Sequence, residues 1–510
     1  MANRYWVGGT ATWDATAGSK WALTSGGAGG QTVPGAADLV YFDAASGAST
    51  VTLGTGYNPS VGYVTCTGFT GTLAFGSQNI TCNGTSATQF AQSTTMTVTG
   101  TPVVNINNTG SGTIAISTAG VSEANAISFN IISGTGTCTI GSSAVCKNLN
   151  LTGFAGTFAL GTRTIYGNLT IPAGVTVSAG TSITTLAATS GTQQITTNNI
   201  TLDFPITMSG TATVQLQDNL TIGSSRTFTF TSGTLNLNSK ALTVGNWSSV
   251  NSNTRAISFG TGSINVANSA TSIFSMSTAT GFTYTGTPTV NFTYSGSTGT
   301  RTITFGSTGG TETNALNFNV TAGSDLVVFS ARIKNLNFTG FSGTLSASTI
   351  VSFGNYTISS GMSTTSGGGS TTFSATSGTQ QITTASKTLD FGLIFDGVGG
   401  TFAFQDALTQ SSTRAFTITN GTVQLKNATT NTIGTFSTSG SNVKYLQSTS
   451  AGNQATISKS SGTIAANYLN IKDIVAAGGA VWSAYTVNNN VNSGNNSGWN
   501  FGGNFMPMFA

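Results

Sequence analysis

The stretch Ser190-Gly-Thr-Gln-Gln-Ile-Thr-Thr197 recurs letter for letter as Ser377-Gly-Thr-Gln-Gln-Ile-Thr-Thr384, a shift of 187 positions. A match of this length between distant parts of one chain indicates a duplicated module. The correspondence extends beyond the octamer, since Lys147-Asn-Leu-Asn-Leu-Thr-Gly-Phe154 matches Lys334-Asn-Leu-Asn-Phe-Thr-Gly-Phe341. A fixed long period predicts a repeat architecture in which each unit packs on its neighbours.

Within each module the local pattern is that of short β-strands. Thr227-Phe-Thr-Phe230 and Ala241-Leu-Thr-Val244 alternate polar and apolar residues with period 2, which is typical of a strand with one buried face. Gly, Ser and Asn separate such runs and supply turns. Stacked units of short strands predict an all-β fold, a right-handed β-solenoid or β-helix, in preference to a β-sandwich.

The same patterns divide the chain into four predicted parts. Residues 56–247 and 248–436 are two tandem solenoid modules, each spanning the repeat of 187 positions. Residues 1–55 are a tryptophan-rich N-terminal cap or attachment segment, and residues 437–510 are a C-terminal β cap with an apolar tail. Distinct ends are expected because the terminal coils of a solenoid expose open strand edges that need protection.

Aromatic residues near both ends are the candidates for a cap or an interface. Residues 1–55 hold half of the six tryptophans, which either fill a cap over the first coil or anchor a partner. The apolar C-terminal tail either covers the last coil or contacts another chain. The candidate residues are Trp6, Trp13, Trp21, Trp499, Phe505 and Phe509.

Residues that carry chemistry are scarce. Only 5% of residues are charged, with Lys+Arg 16 and Asp+Glu 12, against roughly 25% in an average soluble chain. Histidine is absent, which excludes Ser-His and Cys-His catalysis and mixed zinc sites. No phosphate-loop, dinucleotide or zinc motif occurs. Asp38 and Asp43 are a weak candidate calcium pair, because calcium loops usually cluster more oxygen ligands. We therefore expect no cofactor and no bound metal.

The carboxylates are the main candidates for an active site. Glycoside hydrolysis usually needs two carboxylates within about 5–10 Å of each other. The candidate pair of the first module reappears in the second, and each module has one glutamate at a corresponding place. Duplication favours structural roles in turns or caps, so the sequence predicts a protein that is not an enzyme. These acids are Asp203 with Asp218, Asp390 with Asp406, and Glu123 with Glu312.

The cysteines are predicted to be buried free thiols. In the repeat, one cysteine aligns with Leu151 and another with Ile333, which are apolar positions. Free cysteine behaves as a small buried hydrophobe, and disulfides are rare in a reducing cytoplasm. The spacing fits no zinc motif. The four residues are Cys66, Cys82, Cys138 and Cys146.

Charge distribution and the first residues bear on partners and location. The basic residues are scattered singly, so no polybasic patch predicts binding to nucleic acid. Met1-Ala-Asn-Arg-Tyr-Trp6 precedes no apolar run, so no secretory signal is expected. No apolar stretch approaches the roughly 18 residues of a membrane helix. We expect synthesis in the cytoplasm without membrane insertion.

Several segments resemble repetitive β-rich virion proteins of bacteriophages. They are the opening around Trp6-Val-Gly-Gly9, Trp13-Asp14 and Phe42-Asp43, the segment Gln217-Asp-Asn-Leu-Thr-Ile-Gly-Ser-Ser-Arg226, and the ending Asn495-Asn-Ser-Gly-Trp-Asn-Phe501. The resemblance implies a tail fibre, a head fibre or another surface component of a virion, and it carries over no catalytic residue. The opening is also similar, more weakly, to strand repeats of bacterial autotransporter passengers.

These observations lead to one expected function and two alternatives. The expectation is a non-enzymatic structural protein of a phage particle, a fibre or appendage that mediates adhesion to the host. Its expected partners are other virion proteins, a host surface glycan and further copies of itself, with a trimer expected from fibres in general. The alternatives are a bacterial surface adhesin with glycan binding and, third, a tailspike that depolymerises polysaccharide. An ice-binding face ranks last, because the threonine runs are irregular.

Overall fold

The computed structural model describes residues 1–85, 88–141, 143–159, 161–365 and 368–502. Strands account for 47% of the chain and helical residues for 2%, which confirms the all-β prediction. The strands form a parallel β-solenoid of about 20 turns, as the long repeat predicted. Within the described residues, no helix is long and apolar enough to cross a membrane.

The chain divides into two compact units. The first unit comprises Met1–Gly245, Asn253–Ser263 and Thr283–Thr287, and the second comprises Asn246–Ser252, Ile264–Phe282 and the residues from Pro288 onward.

In the part of the chain that the structure describes, the strands are mostly two to five residues long, and three short 3₁₀ helices interrupt them. The strands up to residue 245 are β1 (Asn3–Trp6), β2 (Ala11–Trp13), β3 (Trp21–Ala22), β4 (Leu39–Tyr41), β5 (Thr50–Leu53), β6 (Ser60–Val61), β7 (Tyr63–Thr65), β8 (Thr72–Ala74), β9 (Asn79–Cys82), β10 (Thr88–Ala91), β11 (Thr97–Thr99), β12 (Val103–Asn107), β13 (Ile114–Ser117), β14 (Ser128–Ser133), β15 (Thr137–Ile140), β16 (Ala144–Cys146), β17 (Leu149–Asn150), β18 (Thr157–Phe158), β19 (Arg163–Ile165), β20 (Leu169–Thr170), β21 (Thr176–Val177), β22 (Thr184–Leu186), β23 (Thr192–Thr196), β24 (Thr201–Leu202), β25 (Ile206–Met208), β26 (Thr213–Leu216), β27 (Leu220–Ile222), β28 (Thr227–Phe230), β29 (Gly233–Asn236) and β30 (Ala241–Val244). The later strands are β31 (Asn246–Ser248), β32 (Arg255–Ser258), β33 (Ser263–Val266), β34 (Phe274–Thr278), β35 (Phe282–Thr285), β36 (Thr289–Phe292), β37 (Thr300–Thr308), β38 (Leu316–Val320), β39 (Leu326–Asn337), β40 (Thr344–Ser352), β41 (Tyr356–Thr357), β42 (Ser363–Thr365), β43 (Ser370–Phe373), β44 (Thr379–Thr383), β45 (Thr388–Leu389), β46 (Gly392–Phe404), β47 (Thr409–Gln410), β48 (Ala415–Leu425), β49 (Thr430–Thr432), β50 (Thr435–Thr438), β51 (Lys444–Ser448), β52 (Ala455–Ser458), β53 (Thr463–Ala465), β54 (Leu469–Lys472), β55 (Ile474–Ala477), β56 (Val481–Ser483) and β57 (Val491–Asn492). The 3₁₀ helices are Ala44–Ser46, Glu123–Asn125 and Thr486–Asn488.

In the first unit each coil supplies one strand to each of several sheets. β7, β8 and β9 lie in three different sheets, and β10, β11 and β12 of the next coil pair with them in parallel. Val64 lies opposite Phe90, and Leu73 lies opposite Val98. The sheets built this way have the strand orders β21-β18-β15-β13-β10-β7-β4-β1-β3, β11-β8-β5-β2 and β35-β32-β29-β26-β23-β20-β17-β14-β12-β9-β6.

The second unit stacks longer strands in the same way. β39 pairs in parallel with β37 and β40, β43 pairs with β40 and β46, and β48 pairs with β46 and β50. A separate sheet has the order β45-β47-β49-β52-β55. A single long strand contributes to two stacks, since the first half of β39 pairs with β37 and its second half pairs with β38.

Alternation of side chains places the core inside the coils, as the period-2 pattern predicted. In β28, Phe228 and Phe230 are buried, while Thr227 and Thr229, which alternate with them, are partly exposed. The octamer has the same structure in both copies, because Thr192–Thr196 and Thr379–Thr383 are strands with identical burial patterns. Each fully buried Phe or Leu contributes about 1.5–3 kcal/mol, so stability comes from stacked apolar layers.

Candidate functional site

The three N-terminal tryptophans lie together inside the first coil. Trp6, Trp13 and Trp21 are fully buried and meet Phe42 in edge and tilted contacts with ring centroids 5.1–6.3 Å apart. The Trp6 indole donates to the carbonyl of Gly9 at 2.9 Å. β3 runs antiparallel to β1, with Trp21 opposite Trp6. This strand covers an edge that the first coil would otherwise leave unpaired.

The candidate calcium ligands are occupied by backbone hydrogen bonds. Asp38 accepts from the N–H of Ala2 at 2.8 Å and from that of Gly35 at 3.0 Å, and these bonds lower its pKa against the opposing effect of burial. Asp43 caps the 3₁₀ helix Ala44–Ser46 by accepting from its N–H groups. Both carboxylates therefore order turns of the first coil.

Aromatic residues also form a cluster near the C-terminal end of the described residues. Trp499 lies 5.0 Å from Trp482 and 6.4 Å from Phe436 between ring centroids, and the Trp482 indole donates to the carbonyl of Ala477 at 3.1 Å. Trp499 therefore belongs to an aromatic cluster on the last coils. Phe505 and Phe509 lie outside the described residues.

Asp203 of the first module and its copy Asp390 in the second each bind an arginine on the next coil. Asp203 accepts from Arg226 Nε at 2.7 Å, and Asp390 accepts from Arg414 Nε at 2.8 Å. The hydrogen bond from Arg414 lowers the pKa of Asp390. The two ion pairs occupy corresponding places in the two modules, which agrees with a structural role for both aspartates.

Asp218 and its copy Asp406 close the turn that ends each octamer. Asp218 accepts from the backbone N–H and the hydroxyl of Thr197, and also from the N–H of Asn198. Asp406 accepts from the N–H and the hydroxyl of Thr384, both at 2.9 Å. Thr197 and Thr384 are the last residues of the two octamers, so this tie explains why both copies end in threonine.

The two glutamates form a third duplicated tie. Glu123 accepts from the hydroxyl of Thr189 at 2.7 Å, and Glu312 accepts from that of Thr376 at 2.7 Å. Each bond joins residues more than 60 positions apart, so it connects coils that are not adjacent in sequence. All six acids that the sequence singled out are thus bonded to the solenoid itself.

Stacked asparagine side chains connect successive coils in the first unit. Asn105 donates to Asn79 and Asn130 donates to Asn105, each at 3.0 Å. Such amide ladders satisfy polar groups along the stacking direction without placing like charges above one another. The second unit has the same ladder in Asn265, Asn291 and Asn319.

The four cysteines are free and buried, as predicted. Burial raises the pKa of Cys66, Cys138 and Cys146 to about 12 in each case, and it raises the pKa of Cys82 as well. Thiols held in this form are poor nucleophiles and poor metal ligands, because the thiolate is the reactive species. Among the described residues, no group of three or more His, Cys, Asp or Glu side chains is placed to hold a metal ion.

A polar groove on the second unit was not predicted from the sequence. It consists of two hollows of about 560 and 200 Å³ that share Thr349 in their linings. We call it the second-unit groove. The residues that define it are Ser330, Arg332, Thr349, Ser370, Gly392 and Arg414.

Two of the buried cations, Arg301 and Arg163, were also missed. Arg301 forms a fully buried ion pair with Asp325, with nitrogen–oxygen distances of 2.7 and 2.8 Å. Arg163 is buried over the ring of Phe158 at 4.2 Å, and its Nη1 has no hydrogen-bond partner among the described residues. Both arginines stand at positions where the sequences of the two modules differ. The prediction relied on positions where the two modules agree, so it missed these residues.

The fold and these ties define a parallel β-solenoid built from repeated coils. No family model, curated protein or solved structure matches the chain.

Proposed function

We propose that this chain is a structural protein of a bacteriophage particle, a fibre or surface appendage that acts without catalysis. The β-solenoid of about 20 turns supports this role, as does the resemblance of the sequence to repetitive virion proteins. The observation that carries the proposal is the duplicated use of the acids. The ion pair of Asp203 and the ion pair of Asp390 tie adjacent coils in the same manner.

The proposed mechanism is mechanical. Parallel strands bond to the coil before and the coil after, and side-chain ladders such as that through Asn105 add bonds in the same direction. A charge content of 5% suits this arrangement, because stacking in register would place like charges opposite each other and destabilise the sheet. The coils would hold an adhesive surface at a fixed place on the particle.

The proposed partners are other virion proteins, further copies of this chain and a glycan on the host surface. A trimer is the expected assembly for a fibre. Sedimentation of the full chain at micromolar concentration tests it, and we expect three times the mass of one chain. A monomer under these conditions would contradict the trimer while leaving the location on the particle to the next experiment.

Immunogold electron microscopy tests the location. With an antibody against the full chain, we expect gold particles on an appendage of purified phage particles whose genome encodes it. Particles of an unrelated phage are the control. Gold on the envelope of uninfected bacteria, with none on the particles, would contradict the proposal and support a bacterial surface adhesin, with which the fold is also compatible.

A depolymerising tailspike is the remaining alternative, and substitution of the candidate catalytic acids tests it. We expect the wild-type chain to release no reducing ends from host polysaccharide. Release by the wild type that disappears in Asp203→Asn with Asp390→Asn would overturn the non-catalytic assignment. Asp396→Asn is the matched control, because that aspartate is exposed and is not one of the candidate catalytic acids.

A further inference from the structure

The second-unit groove crosses several successive coils. Ser330 lies opposite Thr349, Thr349 lies opposite Ser370, and Ser370 lies opposite Gly392 in parallel register. These residues form one row of small side chains on four coils. The row lacks any side chain large enough to block an extended ligand.

Gly392 keeps the row open at its far end. A Cβ atom on this residue would lie 3.3 Å from the Cβ of Ser370 and 3.7 Å from the carbonyl oxygen of Ala415. A larger side chain would therefore crowd the space between these two residues. Glycine permits a close approach of a ligand to the backbone here.

An arginine lies towards each end of the groove. Arg332 lies opposite Val351, and the register continues through Thr372 and Ile394 to the coil that contains Arg414. Four coil steps of about 4.8 Å separate the two coils, or about 19 Å. Arg414 is oriented by its bond from Nε to Asp390. No Asp or Glu is present among the described residues that line either hollow.

The corresponding surface of the first unit has different chemistry. Val145 occupies the place of Arg332, and it packs in a small apolar cluster with Val121 and Ala126. Ile183 occupies the place of Ser370, and Pro205 that of Gly392, as the equivalent strand registers show. Three of the six groove positions have therefore changed between the modules, while the ion pair beside the groove is the same in both.

We propose that the second-unit groove binds an acidic polysaccharide, with uronate carboxylates bound by Arg332 and Arg414 and sugar hydroxyls by Thr349 and Ser370. Guanidinium groups bind carboxylates through two parallel hydrogen bonds. Hydroxyl side chains both donate and accept, as sugar hydroxyls require. This inference rests on the proposed adhesive function and assigns its ligand class, but it is tested separately from the location on the particle.

A nucleic acid fits the groove less well, although it is also an anionic polymer. Single strands are held by aromatic side chains that stack on the bases. The aromatic ring among the described lining residues is that of Phe305, which is fully buried. Two arginines also neutralise too few phosphates for binding at physiological salt.

Calorimetric titration of the full chain with oligogalacturonate tests the proposal. We expect binding that weakens as salt is raised, because the charges are close to solvent. Ser370→Ile should lower the affinity at least tenfold by installing the side chain that the first unit has at this place. Arg332→Gln should lower it about fivefold. Lys334→Gln, which removes the same charge from an exposed side chain two positions away, should leave the affinity unchanged.

Thermal melting of each variant shows whether it folds, and Gly392→Ala provides a second way to narrow the groove. Four results would overturn the proposal: no binding of oligogalacturonate, equal binding of a neutral dextran oligosaccharide, tighter binding of single-stranded DNA, or full affinity in the folded Ser370→Ile chain. If immunogold labelling succeeds and titration fails, the proposed function stands and the ligand assignment falls. If titration succeeds and labelling fails, the ligand assignment stands and the proposed function falls.

Discussion

The two copies of the repeated module share the hydrogen bonds and ion pairs of their aspartates. They differ in other residues around these bonds. Asp203 and Asp390 each bind an arginine, and Asp218 and Asp406 each close the turn after the octamer. Some charged residues elsewhere are specific to one copy. In the second unit, Arg301 and Asp325 are buried as a pair, whereas the first unit has Ile114 and Gly136 at these places.

This difference distinguishes the contacts that every coil requires from the residues that are specific to one unit. A tie that joins one coil to the next is needed wherever the turn recurs, so both copies retain it. The buried Arg301 and the buried Cys146 are not needed for stacking, since the other unit has Ile114 and Ile333 at these places. Arg301→Ile and Arg163→Ile exchange residues between corresponding places and thereby test this distinction.

Alkaline pH should destabilise the first unit selectively, and this is the largest effect expected. All four cysteines lie in the first unit. Burial raises the pKa of Cys66 from 9.0 to about 12, so the folded chain keeps a proton that the unfolded chain loses. The contribution to stability is complete below pH 9 and is lost between pH 9 and 12. At pH 10 the loss is about 1.4 kcal/mol per thiol.

Urea midpoints at pH 7.5 and pH 10 measure this loss. The control is a chain with all four cysteines changed to alanine, in which most of the fall between the two pH values should disappear. Tyr356 of the second unit is also buried with a raised pKa, but its ordinary value of 10.0 means that it contributes little below pH 10. An equal fall in both chains would show that the thiols are not responsible.

Removing Asp325 should be the most damaging single substitution. Asp325→Ala leaves the guanidinium of Arg301 buried without its carboxylate, which costs about 3–5 kcal/mol. Chemical unfolding of the full chain measures the change in the free energy of unfolding.

The double variant distinguishes a lost ion pair from a damaged turn. Arg301→Ile combined with Asp325→Ala removes both charges and places an isoleucine where the first unit has Ile114. We expect it to recover most of the stability, because an apolar replacement of a buried pair is often neutral or favourable. A double variant as unstable as the single one would show that Asp325 acts through the backbone.

The long repeat and the period-2 strand pattern were enough to predict the solenoid, and the duplication of the acids indicated their structural use. Identical residues at a fixed spacing imply coils of the same structure. A carboxylate that occurs in both coils is explained by a hydrogen bond or ion pair that both coils form. Thr197 and Thr384 illustrate this, since each ends an octamer and each is held by an aspartate.

The groove and the buried cations were beyond this reasoning for a physical reason. A row such as Thr349 and Ser370 forms only when strands stack in a particular register, and the spacing between coils varies with loop length. Arg163 gave no sign of burial, because a lone arginine is ordinarily exposed. A comparison of positions that differ between the modules would have identified Arg332 against Val145 as a change from apolar to charged.

The duplicated turns should be equally important in both units. Asp218→Ala and Asp406→Ala each remove a charged acceptor from buried backbone and hydroxyl donors, so each should cost about 1–2 kcal/mol. Asp218 should cost slightly more, because Asn198 also donates to it. Urea unfolding of both single variants and the double variant measures this, and the double should show the sum since the ties share no partner. A loss at one site only would contradict equivalent ties.

Replacing Arg163 with isoleucine should stabilise the first unit slightly. Its guanidinium donates to the carbonyls of Gly161 and Ala159, but burial lowers its pKa to about 10, which indicates an unfavourable environment for the charge. The second unit has Ile350 at this place. We expect Arg163→Ile to raise the free energy of unfolding by about 1 kcal/mol, and the reverse change, Ile350→Arg, to lower it. A loss of stability on Arg163→Ile would show that the contacts of the guanidinium with the two carbonyls and the ring of Phe158 outweigh the cost of burying the charge.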